Sequence, residues 1–213
     1  MNNTAENNSK NSNDINENSK SLRKLSVVVS VYNEEKALRE FYKETNKILE
    51  QIRKSGWEHE LIFVNDGSSD NSLSILEELA KEDHDVKLIS FSRNFGHEAA
   101  MIAGIDHSTG DGIICMDADL QHPPECIPKI IEKFDAGYEV INMVRTKNES
   151  AGLIKNITSS GFYWLINHIS DVHFEPNASD FFAISRHVAQ VLKDNYREKV
   201  RFLRGYVQNV GFK

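Results

Sequence analysis

The chain has 213 residues, a net charge of -7 and a sequence pI of about 5.6. This length predicts one domain with a sizeable core, and the acidic balance argues against a nucleic-acid partner. The two cysteines, Cys115 and Cys126, lack metal-ligand spacing and do not indicate an oxidising compartment.

The start of the chain predicts a disordered tail. Residues 1–20 contain eight asparagines and three serines, with almost no apolar side chains. Such a segment cannot bury enough surface to offset the entropy lost on ordering. We therefore expect residues 1–21 to be a disordered tail and residues 22–213 to form one folded domain.

Strands and helices alternate along the rest of the chain. Apolar, β-branched runs predict strands at 25–31, 60–65, 86–92, 112–116, 139–143 and 181–185. Apolar residues spaced by three and four predict helices at 35–54, 72–81, 98–107, 124–136, 150–170 and 187–210. The alternation predicts an α/β fold with a mostly parallel central sheet and helices on both faces. The sequence contains no 18-residue apolar run and no signal-peptide pattern, so we predict no membrane span within it.

Polar side chains follow four of the predicted strands. They lie at 32–34, 65–70, 93–97 and 117–121. Each segment alone also fits a turn or the start of a helix. Ligands of open parallel sheets bind beyond the carboxyl ends of the strands, so four such ends together favour one binding site.

Asp117 and Asp119 are the strongest candidates for chemistry. Two carboxylates one residue apart repel each other unless positive charge lies between them, although a solvated turn remains an alternative. Mg²⁺ or Mn²⁺ binds through one or two carboxylates together with substrate phosphates. The glycine-rich phosphate-binding motifs are absent, so phosphates would be held by the metal and side chains. Four histidines lack metal spacing, and we interpret them as surface or packing residues: His97, His122, His168 and His173.

Several segments together resemble glycosyltransferase family 2. They are VVVSVYNEE, FVNDGSSDNS, SFSRNFGHEAAMIAGIDHSTGD, MDADLQHPP, ASDFFAISR and RFLRGYVQNVGF, and the resemblance runs from residue 25 to residue 213. It implies a GT-A fold for 22–213 that binds a nucleotide sugar. The last segments are similar to the branch that moves a hexose onto a polyprenyl phosphate. The bactoprenol glucosyl transferase type is closer than the dolichol-phosphate mannose synthase type, which implies UDP-glucose and undecaprenyl phosphate as substrates.

The resemblance also implies roles for residues at matching positions. The implied nucleotide-binding residues are Ser30, Tyr32, Glu34, Asp66, Asp117 and Ala118. The implied ligands of Mg²⁺ or Mn²⁺ are Asp117, Asp119 and Gln121, and the implied catalytic residues are Asp119 and Asp180. The implied acceptor-phosphate residues are Arg145, Lys155, Ser159, Arg201 and Arg204.

A lipid phosphate is largely ionised at neutral pH, because its second pKa is ~6. Cationic side chains that orient it therefore matter more than a strong base, and we expect a single displacement with inversion. Asp180 is either a base or a residue that positions a cation, and the sequence does not separate these roles.

Two positions depart from the family pattern. Ser30 stands where proline is usual, which we interpret as a minor change to the loop. Phe182 stands where the pattern is usually Asp-Phe-Arg, which raises the alternative of a catalytically deficient nucleotide-sugar-binding subunit.

Family members continue beyond the last segment into membrane helices. We therefore expect contact with the cytoplasmic face of the plasma membrane, through a further C-terminal part or a partner protein. A homo-oligomer is compatible with this sequence, and a soluble saccharide acceptor remains an alternative.

Overall fold

A computed structural model describes residues 23–144, 178–195, 203–209 and 211–212. The strands are β1 (Arg23–Val31), β2 (Trp57–Asn65), β3 (Val86–Ser90), β4 (Gly112–Asp117), β5 (Val140–Val144) and β6 (Ala178–Ser185). The helices are α1 (Leu38–Lys54), α2 (Ser72–Glu82), α3 (His97–His107), α4 (Ile127–Asp135), α5 (Arg186–Asn195) and α6 (Leu203–Asn209), with a 3₁₀ turn at Pro124–Cys126.

The described strands form one six-stranded sheet in the order β3-β2-β1-β4-β6-β5. β1 pairs in parallel with β2 and β4, and β2 pairs in parallel with β3. β6 is antiparallel to both of its neighbours, β4 and β5. The strand order reverses between β1 and β4, which is the point where open α/β sheets bind ligands.

Each face of the sheet carries its own apolar cluster, because side chains of a strand alternate between faces. Alternate β1 residues such as Val27 and Val29 pack on α1, α2 and α4. Val28 points the other way and belongs to a cluster with side chains of α3, α5 and α6. The mixed α/β class, the mostly parallel sheet and the helices on both faces are confirmed.

The structure corrects several predicted element boundaries. The first helix begins at Leu38 instead of residue 35, because the preceding backbone has other partners. The N–H groups of Glu34 and Glu35 donate to Ser72 Oγ at 2.9 Å and Asp70 Oδ2 at 3.1 Å. β2 begins at Trp57, three residues earlier than predicted, because it pairs with β1 from Arg23 onward.

Other predicted elements fall partly or wholly outside the described residues. The helix predicted at 150–170 lies outside them. Of the helix predicted at 187–210, the structure describes α5 and α6, and residues 196–202 lie outside. Within the described ranges, no helix combines the length and apolar character that crossing a bilayer requires.

Candidate active site

Three predicted site residues lie in one row across the sheet. Ser30 of β1 pairs in register with Asp117 of β4. The antiparallel ladder between β4 and β6 ends at Cys115 and Phe182, and the same register continued by two residues brings Asp180 opposite Asp117. Side chains alternate along a strand, so all three residues face the α3 side of the sheet. Each is two residues from a member of the apolar cluster on that face: Val28, Cys115 or Phe182.

Ser30 lies within β1 and is 8% exposed. The expectation of a minor change to a loop was wrong in location, because β1 has a parallel neighbour on each side. A proline there would remove a backbone donor from an interior strand, whereas serine keeps it.

Four carboxylates converge at the carboxyl end of β1 and β4. Burial raises the pKa of Asp117, and the charges of Asp119 and Asp180 raise it further. Burial also raises the pKa of Glu34, followed by the charges of Asp119 and Asp117. This mutual repulsion means that the site has a negative field suited to a cation.

Two histidines lie beside Asp117. His97, the first residue of α3, has its Nδ1 3.4 Å from Asp117 Oδ1, and its charge lowers the pKa of Asp117. His122 Nδ1 is 3.7 Å from Asp117 Oδ2, but the same nitrogen accepts the Asp117 backbone N–H at 3.0 Å. An accepting nitrogen carries no proton to donate, so we assign the ion-pair role to His97 alone. The interpretation of His122 as a packing residue agrees with its 3% exposure, whereas His97 joins the site.

The loops after β1 and β2 hold each other in place. Asn33 N–H donates to Ser68 Oγ at 3.0 Å, and Ser69 N–H donates to Asn33 Oδ1 at 2.8 Å. Asn33 has a φ of 57°, a conformation that asparagine tolerates better than most residues. Next to this junction Tyr32 is 48% exposed, so its ring is available to a ligand.

Asp66 is 1% exposed, and both of its carboxylate oxygens have backbone partners. Phe95 N–H donates to Oδ1 at 2.7 Å and Gly96 N–H donates to Oδ2 at 3.0 Å. Asp66 therefore fixes the loop that leads into α3, and its predicted contact with the base stays a prediction. The neighbouring Gly67 has a φ of 66°, and a Cβ there would overlap the backbone of Arg93.

Residues 117–121, which carry the Asp-Ala-Asp motif and are called the D-x-D loop below, are closed by a hydrogen bond of their own. Gln121 N–H donates to Asp119 Oδ1 at 2.9 Å, and Leu120 has a φ of 59°. The Ala118 side chain is 1% exposed and belongs to the core, so any ligand contact of Ala118 is restricted to its backbone.

Most predicted acceptor residues lie outside the described residues: Arg145, Lys155, Ser159 and Arg201. Arg204 lies in α6, with its side chain outside the described part of the chain.

The donor set fits Mg²⁺ or Mn²⁺, because Asp117, Asp119 and Gln121 offer oxygen ligands and the carboxylates need positive charge. Among the described residues, the one group of three His, Cys, Asp or Glu side chains with all ligand atoms within 4.8 Å is Glu50, His59 and Asp85. Arg53 already binds this group: its Nη2 lies 3.1 Å from His59 Nε2 and donates to Asp85. The group lies near the amino ends of β2 and β3, whereas Asp117 ends β4 at its carboxyl end, so we assign the group to an ion-pair network. Two carboxylates with Gln121 suit a cation that substrate oxygens also bind.

Comparisons with known proteins agree on one family. The profile of "Glycosyl transferase family 2" matches residues 26–192. The chain is 44% identical to the "Uncharacterized glycosyltransferase YkcC" of Bacillus subtilis over 188 residues, which cover 88% of this chain and 57% of that protein. It is 43% identical to the "Prophage bactoprenol glucosyl transferase homolog" of Escherichia coli over 190 residues, covering 89% of this chain and 61% of the relative. The chain thus spans about three fifths of the length of these relatives.

Solved structures share the fold at low sequence identity. Staphylococcus aureus TarS has a TM-score of 0.59 at 16% identity, covering 87% of this chain and 53% of that one. The glucosyl-3-phosphoglycerate synthase of Mycobacterium tuberculosis, solved with UDP, has a TM-score of 0.55 at 20% identity, covering 78% of this chain and 58% of that one. A Pyrobaculum calidifontis mannosyltransferase, solved with GDP-Man and Mn²⁺, has a TM-score of 0.56 at 18% identity, covering 81% of this chain and 47% of that one. These similarities confirm the predicted glycosyltransferase fold.

Proposed function

The chain belongs to glycosyl transferase family 2, and from this premise we propose that it moves glucose from UDP-glucose to undecaprenyl phosphate, with inversion at the anomeric carbon. The names of the bactoprenol glucosyl transferases, 42–43% identical to this chain, support the sugar and the lipid class. The solved neighbours with UDP or a nucleotide sugar support a nucleotide-sugar donor.

The observation that carries this proposal is the convergence of Asp117, Asp119, Asp180 and Glu34 at the reversal of strand order. In the proposal, Tyr32, Glu34 and Asp66 bind the nucleoside, while Asp117, Asp119 and Gln121 hold Mg²⁺ or Mn²⁺. When bound, the cation neutralises charge on the departing diphosphate.

The remaining work falls to the protein's own groups. Asp180 is brought opposite Asp117 on the neighbouring strand β6 when the register of the β4–β6 ladder is continued by two residues. The attacking phosphate oxygen is already ionised, so the acceptor needs orientation more than deprotonation. We assign that orientation to a cationic set: Arg145, Lys155, Arg201 and Arg204, with Ser159. Asp180 acts either as a base or as the residue that positions one of these cations.

The wider setting is part of the same proposal. Residues 22–213 form the catalytic domain and residues 1–21 form a tail. The domain works at the cytoplasmic face of the plasma membrane, where a polyprenyl phosphate is accessible, through a further segment or a partner protein. Assembly into a homo-oligomer is compatible with this setting.

The test is a donor screen with the purified chain and undecaprenyl phosphate in detergent. We expect labelled glucose from UDP-glucose in the organic phase, lost with EDTA and restored by Mn²⁺ or Mg²⁺. Asp117→Asn should lower the transfer rate by about 100-fold or more, as for loss of a group that stabilises transition-state charge. Asp135→Asn, an exposed acid at the end of α4, is the matched control and should keep the wild-type rate.

Three other results would each contradict the proposal. Label in a water-soluble saccharide would indicate a family 2 enzyme with a soluble acceptor. UDP binding without turnover would indicate a nucleotide-sugar-binding subunit. No product with any UDP- or GDP-hexose would contradict transfer to a polyprenyl phosphate.

A further inference from the structure

His122 directly follows the D-x-D loop and is 3% exposed. Its Nδ1 accepts the backbone N–H of Asp117 at 3.0 Å. This N–H belongs to the last residue of β4, beyond the point where pairing with β6 has ended. An imidazole nitrogen therefore holds the backbone of Asp117 at a point where β4 still pairs with β1 but no longer with β6.

A second contact of His122 is made by the face of its ring. The ring stacks on Phe181 with 5.0 Å between centroids and 25° between planes. Phe181 is 3% exposed and directly follows Asp180 in β6. Neighbouring side chains in a strand point to opposite faces. Phe181 therefore packs on the face covered by α1, α2 and α4, while Asp180 points to the α3 face with Asp117.

We propose that His122 is a positioning residue that joins the D-x-D loop to the Asp180-bearing strand and so sets the spacing between Asp117 and Asp180. The roles of these two aspartates rest on the proposed function. The hydrogen bond holds Asp117, on the side of the sugar donor. The ring stack holds β6 and therefore Asp180, on the side of the lipid acceptor. Misplacement of a reacting group by about 1 Å costs ~100-fold in rate, so a residue that holds both sides affects catalysis without touching substrate.

The two contacts can be removed separately. His122→Asn places Oδ1 as many bonds from Cα as Nδ1, so it keeps an acceptor for the Asp117 N–H and loses the stack. His122→Phe keeps a ring on Phe181 and loses the acceptor. His107→Asn and His107→Phe are matched controls, because His107 is exposed at the end of α3 and its Nδ1 contacts the carbonyl of Ala103.

We expect opposite kinetic patterns from the two variants. In His122→Phe, the unpaired N–H displaces the loop, so the Kd for UDP with Mn²⁺ and the donor KM should rise about 10-fold. In His122→Asn, donor binding should stay near wild type while kcat falls about 10-fold, because β6 is no longer held against the loop. Calorimetry gives the Kd, steady-state transfer gives KM and kcat, and both His107 variants should match wild type.

A second readout does not depend on activity. Since Nδ1 accepts a hydrogen bond, the ring proton lies on Nε2, and ¹⁵N-detected NMR of the imidazole should report that tautomer in the metal-free chain. The Asp117 amide resonance should shift in His122→Phe more than in His122→Asn.

The same pattern in both variants, including wild-type kinetics with only a lower Tm, would reduce His122 to a packing residue and overturn the inference. This result is distinct from failure of the proposed function. If wild-type protein transfers no sugar to lipid, UDP and Mn²⁺ affinity together with the Asp117 amide still compare the two variants.

Discussion

Phe182 lies on the same strand and the same sheet face as Asp180, two residues further along β6. It is 3% exposed and packs in the apolar cluster that includes Val28, Cys115 and Ile184. The departure from Asp-Phe-Arg therefore replaces a family cation with a core side chain.

This burial predicts the outcome of restoring the family residue. Phe182→Arg should lower Tm and should not raise the transfer rate, because burial of an unpaired guanidinium costs several kcal/mol. Phe182→Leu is the control of similar polarity and should cost about 1 kcal/mol. Thermal melts and lipid-linked transfer measure both effects. A gain in transfer rate by Phe182→Arg would instead support a catalytically deficient wild-type chain.

Single residues also show the limit of sequence interpretation. Asp117 and Asp119 are predictable because paired carboxylates after a strand are unusual. The sequence predicts a surface or packing role for His97, since one histidine carries no spacing signal. Its sequence signal is that it ends RNFGH, the polar segment at 93–97 that follows the third strand. The contact with Asp117 depends on how α3 packs beside β4.

At the scale of elements, α3 connects the core to the site. Gly104 of α3 lies against Val28 of β1, and a Cβ at Gly104 would overlap the Val28 Cγ1 methyl. The same helix begins with His97, and the loop before it donates two N–H groups to Asp66. The distance between α3 and β1 therefore affects the position of site residues.

Gly104→Ala tests this packing. Helix propensity alone would favour alanine by about 1 kcal/mol, but overpacking a rigid core costs about 1–3 kcal/mol. Val28 is fully buried and β-branched, so it cannot move aside easily, and we expect a net loss of stability with weaker UDP binding. Urea unfolding and calorimetry measure these quantities. Val28→Ala should rescue both in the double mutant; additive losses would contradict the proposed contact.

The elements differ in how far sequence predicts them. β1, β2 and β4 are covered on both faces, so their continuous apolar runs identify them directly. The run 181–185 also predicts a strand, but its place between β4 and β5 depends on pairing with residues far away in sequence. The shift of α1 to Leu38 likewise depends on contacts with the loop after β2, which helix periodicity does not contain.

At the scale of the whole molecule, the two ends of the sheet differ in how their buried carboxylates are paired. The carboxyl end gathers carboxylates, and the pKa of Asp117 is raised there even with the charge of His97 beside it. Near the amino end, Glu60 of β2 is 1% exposed and fully paired. Its partners come from separate parts of the fold: Ser26 of β1 at 2.6 Å, Lys87 of β3 at 2.5 Å, Thr109 before β4 at 2.6 Å and Lys24 at 3.0 Å. Glu60 is therefore a junction of three strands and the loop before a fourth.

This junction makes stability depend on acid pH. Burial raises the pKa of Glu60, but hydrogen bonds from Lys87, Ser26, Thr109 and Lys24 outweigh it and lower the pKa from 4.5 to about 2. The folded chain thus binds this proton less readily than the unfolded chain. The stabilisation is complete above pH 4.5 and is lost as the pH falls toward 2.

Glu60→Gln should therefore lower the free energy of unfolding by about 3 kcal/mol at pH 7, because it leaves two lysines without their buried counter-charge. The difference between wild type and variant should shrink between pH 4.5 and pH 2, where wild-type Glu60 becomes protonated. Urea unfolding at several pH values measures this difference. Glu77→Gln, the same change at an exposed position of α2, should leave stability unchanged within about 0.5 kcal/mol. A constant difference across the acid range would show that Glu60 stabilises the sheet by packing instead of by charge.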